Sequence, residues 1–147
     1  MGDYNPSTYA VVDIETTLNH KTIHGAGITL FHNGQVTVSE WVTSPESLSN
    51  TLNGATHVVG HNLLGFDLPI LAEVWDFTLP ASVGVIDTLV MSRLASPSRD
   101  GGHSLRNLAL QCGLNQKQDF DVADFDGPVT EKMIEYCIAD TVANADV

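Results

Sequence analysis

The amino-acid sequence predicts a single α/β domain built on a mixed, five-stranded sheet. Two observations support this prediction: an Asn-Gly dipeptide lies between two extended runs near the amino terminus, and two later short apolar runs alternate with helical segments. Asn-Gly is the strongest short signal for an antiparallel hairpin. Short buried strands separated by helices are typical of parallel strands with crossover connections. The sheet should therefore have an antiparallel hairpin at one flank and helices on both faces.

The strands are expected where β-branched and aromatic residues form short runs. The predicted strands span residues 9–14, 22–30, 35–42, 56–60 and 83–86. Asn33 and Gly34 form the turn between the second and third strands. The last two strands are short and apolar, which is typical of buried strands in a parallel sheet.

The helices are expected after residues that suit a helix start. The predicted helices span residues 45–53, 67–75, 88–94, 104–112 and 130–147. Ser44 and Asp67 are the expected N-caps of the first two, each followed by a proline in the first turn. Residues 61–66, 96–102 and 116–127 are expected to be loops.

The length and composition limit the function classes. A chain of 147 residues is enough for one domain, so residues 1–147 are expected to form a single unit. No apolar run approaches the ~20 residues of a membrane span, and there is no secretory signal, so no membrane partner is expected. Cys112 and Cys137 fit no metal-binding spacing and indicate buried thiols in a reducing, cytoplasmic setting.

The net charge is unusual for a protein that binds polyanions. Eighteen acids against six Lys and Arg residues give a formal charge of −12. Composition by itself therefore argues against a nucleic-acid partner, because there is no basic surface to attract phosphates. Clustered metal ligands would explain part of the acidic excess.

Asp13 and Glu15 form the first candidate site. Residues i and i+2 of a strand point to the same face, so both carboxylates should project together where the first strand ends. Neighbouring carboxylates repel each other unless a cation lies between them, and Mg²⁺ or Mn²⁺ prefers such oxygen ligands. The alternative is two solvated acids at a strand end.

Two later patterns add acids to this candidate site. Asp67 follows a buried strand, where open α/β sheets place their ligands, although it could serve only as a helix cap. Tyr136 and Asp140 are four residues apart on the last predicted helix and so share one face. The alternative for Tyr136 is a half-buried side chain with a satisfied hydroxyl.

Together the three patterns resemble the 3′→5′ exonucleases of the DEDD superfamily, in the subtype with tyrosine in the third motif. They read Asp-x-Glu on the first strand, Asn-x-x-x-Phe-Asp-x-Pro after a later strand, and Tyr-x-x-x-Asp on the last helix. In particular, the chain resembles the proofreading domain of phage family-A DNA polymerases. The segments 87–94 and 102–105 are also similar to that domain, and the resemblance extends over residues 9–145.

The resemblance implies an RNase H-like fold and phosphodiester hydrolysis with two divalent cations, Mg²⁺ or Mn²⁺. Asp13 would bridge both cations, and Glu15 and Asp140 would bind the one that activates water. Asp67 would serve the second cation through water. Tyr136 would orient the attacking water together with Glu15. Stabilising both the attacking and the leaving oxygen in this way is the usual role of paired cations.

The substrate contacts implied by the resemblance lie around the first two motifs. The backbone amides of Thr16 and Thr17 could meet the terminal sugar, and Leu18 is the candidate for an apolar wedge against the last base. The other candidate substrate contacts are Asn62, Phe66, His103 and Arg106. The familiar glycine before the wedge is absent from this chain.

The expected activity is therefore release of nucleoside monophosphates from the 3′ end of DNA, in a proofreading role. The substrate would be a single-stranded or frayed end, because the site must hold unstacked nucleotides. The expected partners are DNA and a DNA polymerase, and the expected state is a monomer, phage-encoded within a bacterial host. The alternatives are an exoribonuclease of the RNase D kind and a catalytically idle domain that docks onto a polymerase.

Overall fold

The computed structural model describes residues 8–33 and 35–111, which form five strands, four α-helices and one π-helical turn. The strands are β1 (Thr8–Thr16), β2 (Ile23–His32), β3 (Gln35–Val42), β4 (His57–Gly60) and β5 (Gly84–Asp87). The helices are α1 (Pro45–Leu52), α2 (Leu68–Trp75), α3 (Thr88–Ala95) and α4 (Leu105–Gln111), and the π-turn is Leu63–Asp67.

The five strands form one mixed sheet in the order β3-β2-β1-β4-β5. β1, β4 and β5 are parallel, and β2 is antiparallel to both β1 and β3. The predicted mixed sheet with an antiparallel hairpin at its flank is therefore confirmed. β2 and β3 are separated by Asn33 and Gly34, where the turn was predicted, and Asn33 has the positive φ of 52° that such turns require; Gly34 lies outside the described residues.

The main apolar core lies on one face of β1. Ala10, Val12 and Ile14 alternate along this strand and are nearly inaccessible to water. They pack in one cluster with residues of α1, the π-turn and α2, namely Leu48, Leu63, Ile70 and Leu71. Burying a leucine fully contributes about 2 kcal/mol. Because side chains alternate along a strand, Asp13 and Glu15 project from the opposite face.

The helix starts show which local signals were reliable. Ser44 caps α1 as predicted, since its Oγ accepts the Ser47 N–H at 3.1 Å. Asp67 occupies the predicted N-cap position of α2, but its side chain does not cap the helix. Asp67 has helical dihedral angles, and its carboxylate makes no capping hydrogen bond. Residues 61–66 were predicted as a loop, but residues 63–66 belong to the π-turn and only His61 and Asn62 precede it.

The remaining predictions fall on the carboxyl-terminal part of the sequence. The acidic loop at 116–127 and the helix at 130–147, with Tyr136 and Asp140, lie outside the described residues. Within the described ranges, none of the helices has the length and apolar character needed to cross a bilayer.

Candidate active site at the carboxyl ends of the parallel strands

Three buried acids lie at one edge of the sheet. Glu15 is near the end of β1, Asp87 ends β5, and Asp67 follows β4 by way of the π-turn. Their exposed fractions are 6% for Glu15, 3% for Asp67 and 5% for Asp87. Acids are rarely buried so fully unless they are paired or hydrogen-bonded. This edge is therefore the part of the described chain where ligand chemistry is most expected.

The pair Asp13 and Glu15 stands opposite two glycines of β2. Asp13 pairs with Gly27 and Glu15 with Gly25, so no β2 side chain crowds the carboxylates at these positions. A Cβ at Gly25 would lie 2.4 Å from the indole of Trp41, which shows that this ring packs directly on the Gly25 backbone. The half-buried Asp13 and the buried Glu15 thus share a face bordered by a tryptophan.

Asp67 contacts the backbone between these two acids. Pairing of β1 with β4 ends at Val11 and Val59, so the N–H groups farther along β1 need other acceptors on that side. The Ile14 N–H donates to Asp67 Oδ2 at 3.0 Å, across 53 residues of sequence. The three acids of the first two motifs therefore converge on the end of β1.

The π-turn is what brings Asp67 to this position. It follows Asn62, which has a left-handed backbone with φ of 59°, and it is closed by the Leu68 N–H donating to Leu63 O. A π-turn accommodates one more residue than an α-helical turn and is frequent at functional sites. The local pattern of a proline-containing helix start gave no sign of it.

The surroundings of Asp67 strongly disfavour the ionised form of its carboxyl group. The pKa of Asp67 is raised from 3.8 to about 8, mainly by burial and also by the charges of Glu15 and Asp87, against the lowering effect of the Ile14 N–H. A nearby cation would reverse this balance by favouring the ionised carboxylate. The site thus has an excess of negative charge that a divalent cation is suited to neutralise.

Asp87 holds the loop that leads to Asp67. Its carboxylate accepts the N–H groups of Asn62 at 2.9 Å, Leu64 at 3.0 Å and Leu89 at 2.9 Å. The loop folds tightly here, since a Cβ at Gly65 would lie 2.6 Å from Asn62 Oδ1. One buried carboxylate therefore caps α3 and fixes the start of the π-turn.

A small pocket of about 200 Å³ opens beside Glu15. It is lined by Ile14, Glu15, Thr16, Thr17, Leu18, His20 and Phe66. Four of the residues expected to contact substrate, namely Thr16, Thr17, Leu18 and Phe66, thus lie together. The Thr17 amide, however, already donates to Thr22 O at 3.0 Å, so this N–H is not available to a sugar.

The other candidate substrate residues lie apart from this pocket. Asn62 uses its N–H on Asp87, and His103 has both ring nitrogens within hydrogen-bonding distance of protein oxygens, Ser92 Oγ at 2.7 Å and Pro97 O at 3.2 Å. Arg106 is exposed on α4. The structure does not describe Tyr136 or Asp140, so their place at the site remains a prediction.

Two residues of this region were missed as functional candidates. Asp87 could have been singled out, because an acid between a buried strand and a helix is a common N-cap. His20 lies in a short polar turn, and nothing in its sequence context links it to Phe66, which is 46 positions away.

Comparisons with solved structures agree with this architecture. The family B DNA polymerase of the hyperthermophilic archaeon Pyrobaculum calidifontis matches with a TM-score of 0.75 and 12% identity, over 99% of this chain and 24% of the polymerase chain. This chain therefore spans about a quarter of that polymerase.

Two nucleases match over larger shares of their own length. A nuclease in its apo form has a TM-score of 0.63 and 17% identity, over 92% of this chain and 67% of the nuclease. Exonuclease X in complex with 5′-overhanging duplex DNA has a TM-score of 0.58 and 16% identity, over 94% of this chain and 89% of that chain. Searches with protein-family models and of curated proteins gave no match.

The class defined by these findings is an α/β protein with an RNase H-like fold. The five-strand order and mixed pairing agree with it, and the acids lie where parallel strands of such sheets end. At identities of 12–17% the likeness establishes the fold, and the activity is argued from the site.

Proposed function

We propose that residues 1–147 form one domain that is a metal-dependent 3′→5′ exonuclease, which hydrolyses DNA from its 3′ end and releases nucleoside monophosphates. The observation that supports this most is the hydrogen bond from the Ile14 N–H to Asp67, because it joins the Asp-x-Glu motif to the second motif in space. A proofreading role alongside a DNA polymerase is part of the proposal. The polymerase among the structural neighbours supports it.

The donor set fits divalent cations of the magnesium type. Within residues 8–33 and 35–111, no three acidic, histidine or cysteine side chains already form a metal-binding cluster. The carboxylates nevertheless supply hard oxygen ligands, and the pKa of Asp67, raised by burial and by the charges of Glu15 and Asp87, supports a place for a cation. Asp13, Glu15 and Asp67 would act as ligands, with Asp140 completing the set from outside the described part.

Different residues of the chain would have different roles in hydrolysis. Two bound cations would supply positive charge for the phosphate as negative charge increases at the leaving oxygen. Glu15 and Tyr136 would orient the water that attacks the terminal phosphodiester. Leu18 and Phe66, which line the pocket beside Glu15, would bind the last base, since bases stack or pack on apolar and aromatic side chains.

The decisive test uses 5′-labelled, single-stranded DNA and RNA of one sequence, with Mn²⁺ or with EDTA. The proposal predicts that DNA is shortened from its 3′ end one nucleotide at a time with Mn²⁺ and remains intact with EDTA. Asp13→Ala should reduce the rate by roughly 100-fold or more, as when a group that stabilises charge is removed from an active site. Tyr136→Phe should lose less.

The control is Asp100→Ala, which removes an exposed acid of the α3–α4 loop and should leave the rate unchanged. Stepwise degradation of RNA but not DNA would move the assignment to an exoribonuclease. Intact DNA and RNA under all conditions would indicate a domain without nuclease activity.

A further inference from the structure

The turn that follows β1 places a histidine in the pocket beside Glu15. Thr17 anchors both sides of this turn: its N–H donates to Thr22 O, and its carbonyl accepts the His20 N–H at 2.9 Å. Asn19 Oδ1 accepts both the Thr17 hydroxyl at 2.7 Å and the Lys21 N–H at 3.0 Å. This dense bonding holds His20 at a positive φ of 59°, with its ring lining the pocket.

The hydrogen bonds of Thr16 bear on the tautomer of His20. The Thr16 hydroxyl is placed to donate its single hydrogen to Thr17 O at 2.9 Å, and its oxygen lies 3.0 Å from His20 Nδ1. With the hydroxyl hydrogen on Thr17 O, this oxygen accepts from Nδ1–H, and Nε2 of the ring is then an acceptor with an available lone pair.

A second contact fixes the plane of the ring. The His20 and Phe66 rings meet edge to face, with centroids 5.0 Å apart and planes at 89°. Within the described part of the chain, no hydrogen bond is made to His20 Nε2. Because the side chain is exposed, this acceptor can be reached by a ligand that enters the pocket.

We propose that His20 is a substrate-contacting residue whose Nε2 accepts a hydrogen bond from a sugar hydroxyl of the terminal nucleotide. The proposal builds on the exonuclease function proposed above. Phosphate oxygens are acceptors and would be repelled by this nitrogen, whereas a sugar hydroxyl is a donor that every unmodified 3′ end has. Such a contact would favour an intact terminus whatever the identity of its base.

The test measures kcat/KM for removal of the last nucleotide from three DNA strands of one sequence. Their terminal sugars have a 3′-hydroxyl only, a 2′-hydroxyl only, or neither. Wild type should prefer at least one hydroxyl-bearing end to the dideoxy end. His20→Phe, which keeps a ring against Phe66, should reduce that preference by about 3- to 10-fold, the effect of one neutral hydrogen bond. The end that shows the change identifies the hydroxyl.

The chain offers a closely matched control at the other end of β1. His32 Nδ1 lies 3.1 Å from the Thr8 hydroxyl, and the two ends of this strand are roughly 26 Å apart. His32→Phe should leave the preference unchanged. His20→Asn, which suits a positive φ and is too short to reach the hydroxyl, repeats the test if His20→Phe does not fold.

Three outcomes overturn the proposal. The first is a wild type that shows no preference for any hydroxyl-bearing end. The second is that His20→Phe and His20→Asn slow removal from all three ends by the same factor, which would show a structural role alone. If wild type with Mn²⁺ removes no nucleotide from any strand, both this inference and the proposed function fail, and that result is distinct from the other two.

Discussion

Asp67 and Asp87 are two carboxylates at the same edge of the sheet, almost equally buried, with very different surroundings. Asp87 accepts three backbone N–H groups from two segments. Asp67 accepts the Ile14 N–H, faces the charges of Glu15 and Asp87, and has its pKa raised to about 8. Burial alone therefore does not identify a reactive acid. Asp67, whose burial is compensated by fewer donors than that of Asp87, is the one suited to bind a cation.

The largest expected effect is the loss of exonuclease activity when Asp67 is replaced. Asp67→Asn should still accept the Ile14 N–H but would supply no charge to a cation, so the rate of DNA shortening should fall by roughly 100-fold or more. Its thermal unfolding midpoint without metal should stay level or rise, because the buried Asp67 must either stay protonated or ionise at a cost, and an amide does neither. The measurement pairs the exonuclease rate with a melting curve, and a rate within about threefold of wild type would contradict the role as a ligand.

The second effect is the loss of stability when Asp87 is replaced. Asp87→Ala would leave three backbone N–H groups without their acceptor, so the free energy of unfolding should fall by about 2–4 kcal/mol. Urea unfolding of this variant beside Asp100→Ala measures the difference, and the exposed control should change by less than about 0.5 kcal/mol. An Asp87→Ala variant as stable as its control would show that water replaces the carboxylate without loss.

The third effect is the pH dependence caused by Asp67. Its pKa is about 8 in the folded chain against 3.8 for an unperturbed carboxyl, so the folded state binds the proton more tightly. Without divalent cations, the stability contributed at low pH is lost between about pH 4 and pH 8, at up to about 1.4 kcal/mol per pH unit. The free energy of unfolding, measured for wild type and Asp67→Asn across this pH range, should therefore fall more steeply with pH in wild type, by that slope.

A bound divalent cation should also change the pH dependence of stability that Asp67 causes. Divalent cations bind the ionised carboxylate, so added Mn²⁺ should stabilise wild type more as pH rises and should reduce the difference in slope. If wild type and Asp67→Asn have parallel pH profiles, the pKa of Asp67 in the folded chain is not raised.

The parts of the fold that sequence predicted well are those specified by neighbouring residues. β3 was predicted with its observed limits, Gln35–Val42, and Ser44 as the cap of α1, because alternation and capping act over a few positions. The mixed character of the sheet, with an antiparallel hairpin at one flank, followed from the Asn-Gly turn and from the two short apolar strands. These signals depend on local backbone preference and hydrophobic periodicity, which the sequence displays directly.

The parts that sequence did not predict depend on contacts between distant segments. Asp67 was expected to cap a helix, but its carboxylate bonds to Ile14 because β1 and β4 separate beyond Val11. Resemblance of the motifs had already suggested that Asp13, Glu15 and Asp67 act together, and the fold brings these three to one edge. His20 and Phe66 meet only after the sheet has formed, so no spacing rule could have paired them.

The π-turn makes the number of residues between β4 and α2 as important as their identity. Deleting one residue from the segment 63–66 would allow ordinary α-helical pairing there. It would also turn the Asp67 side chain by about 100° around the helix axis, away from Ile14. A single-codon deletion could thus separate the two motifs while every acid remained in the chain. Homologues should accordingly tolerate substitutions in this segment far better than changes in its length.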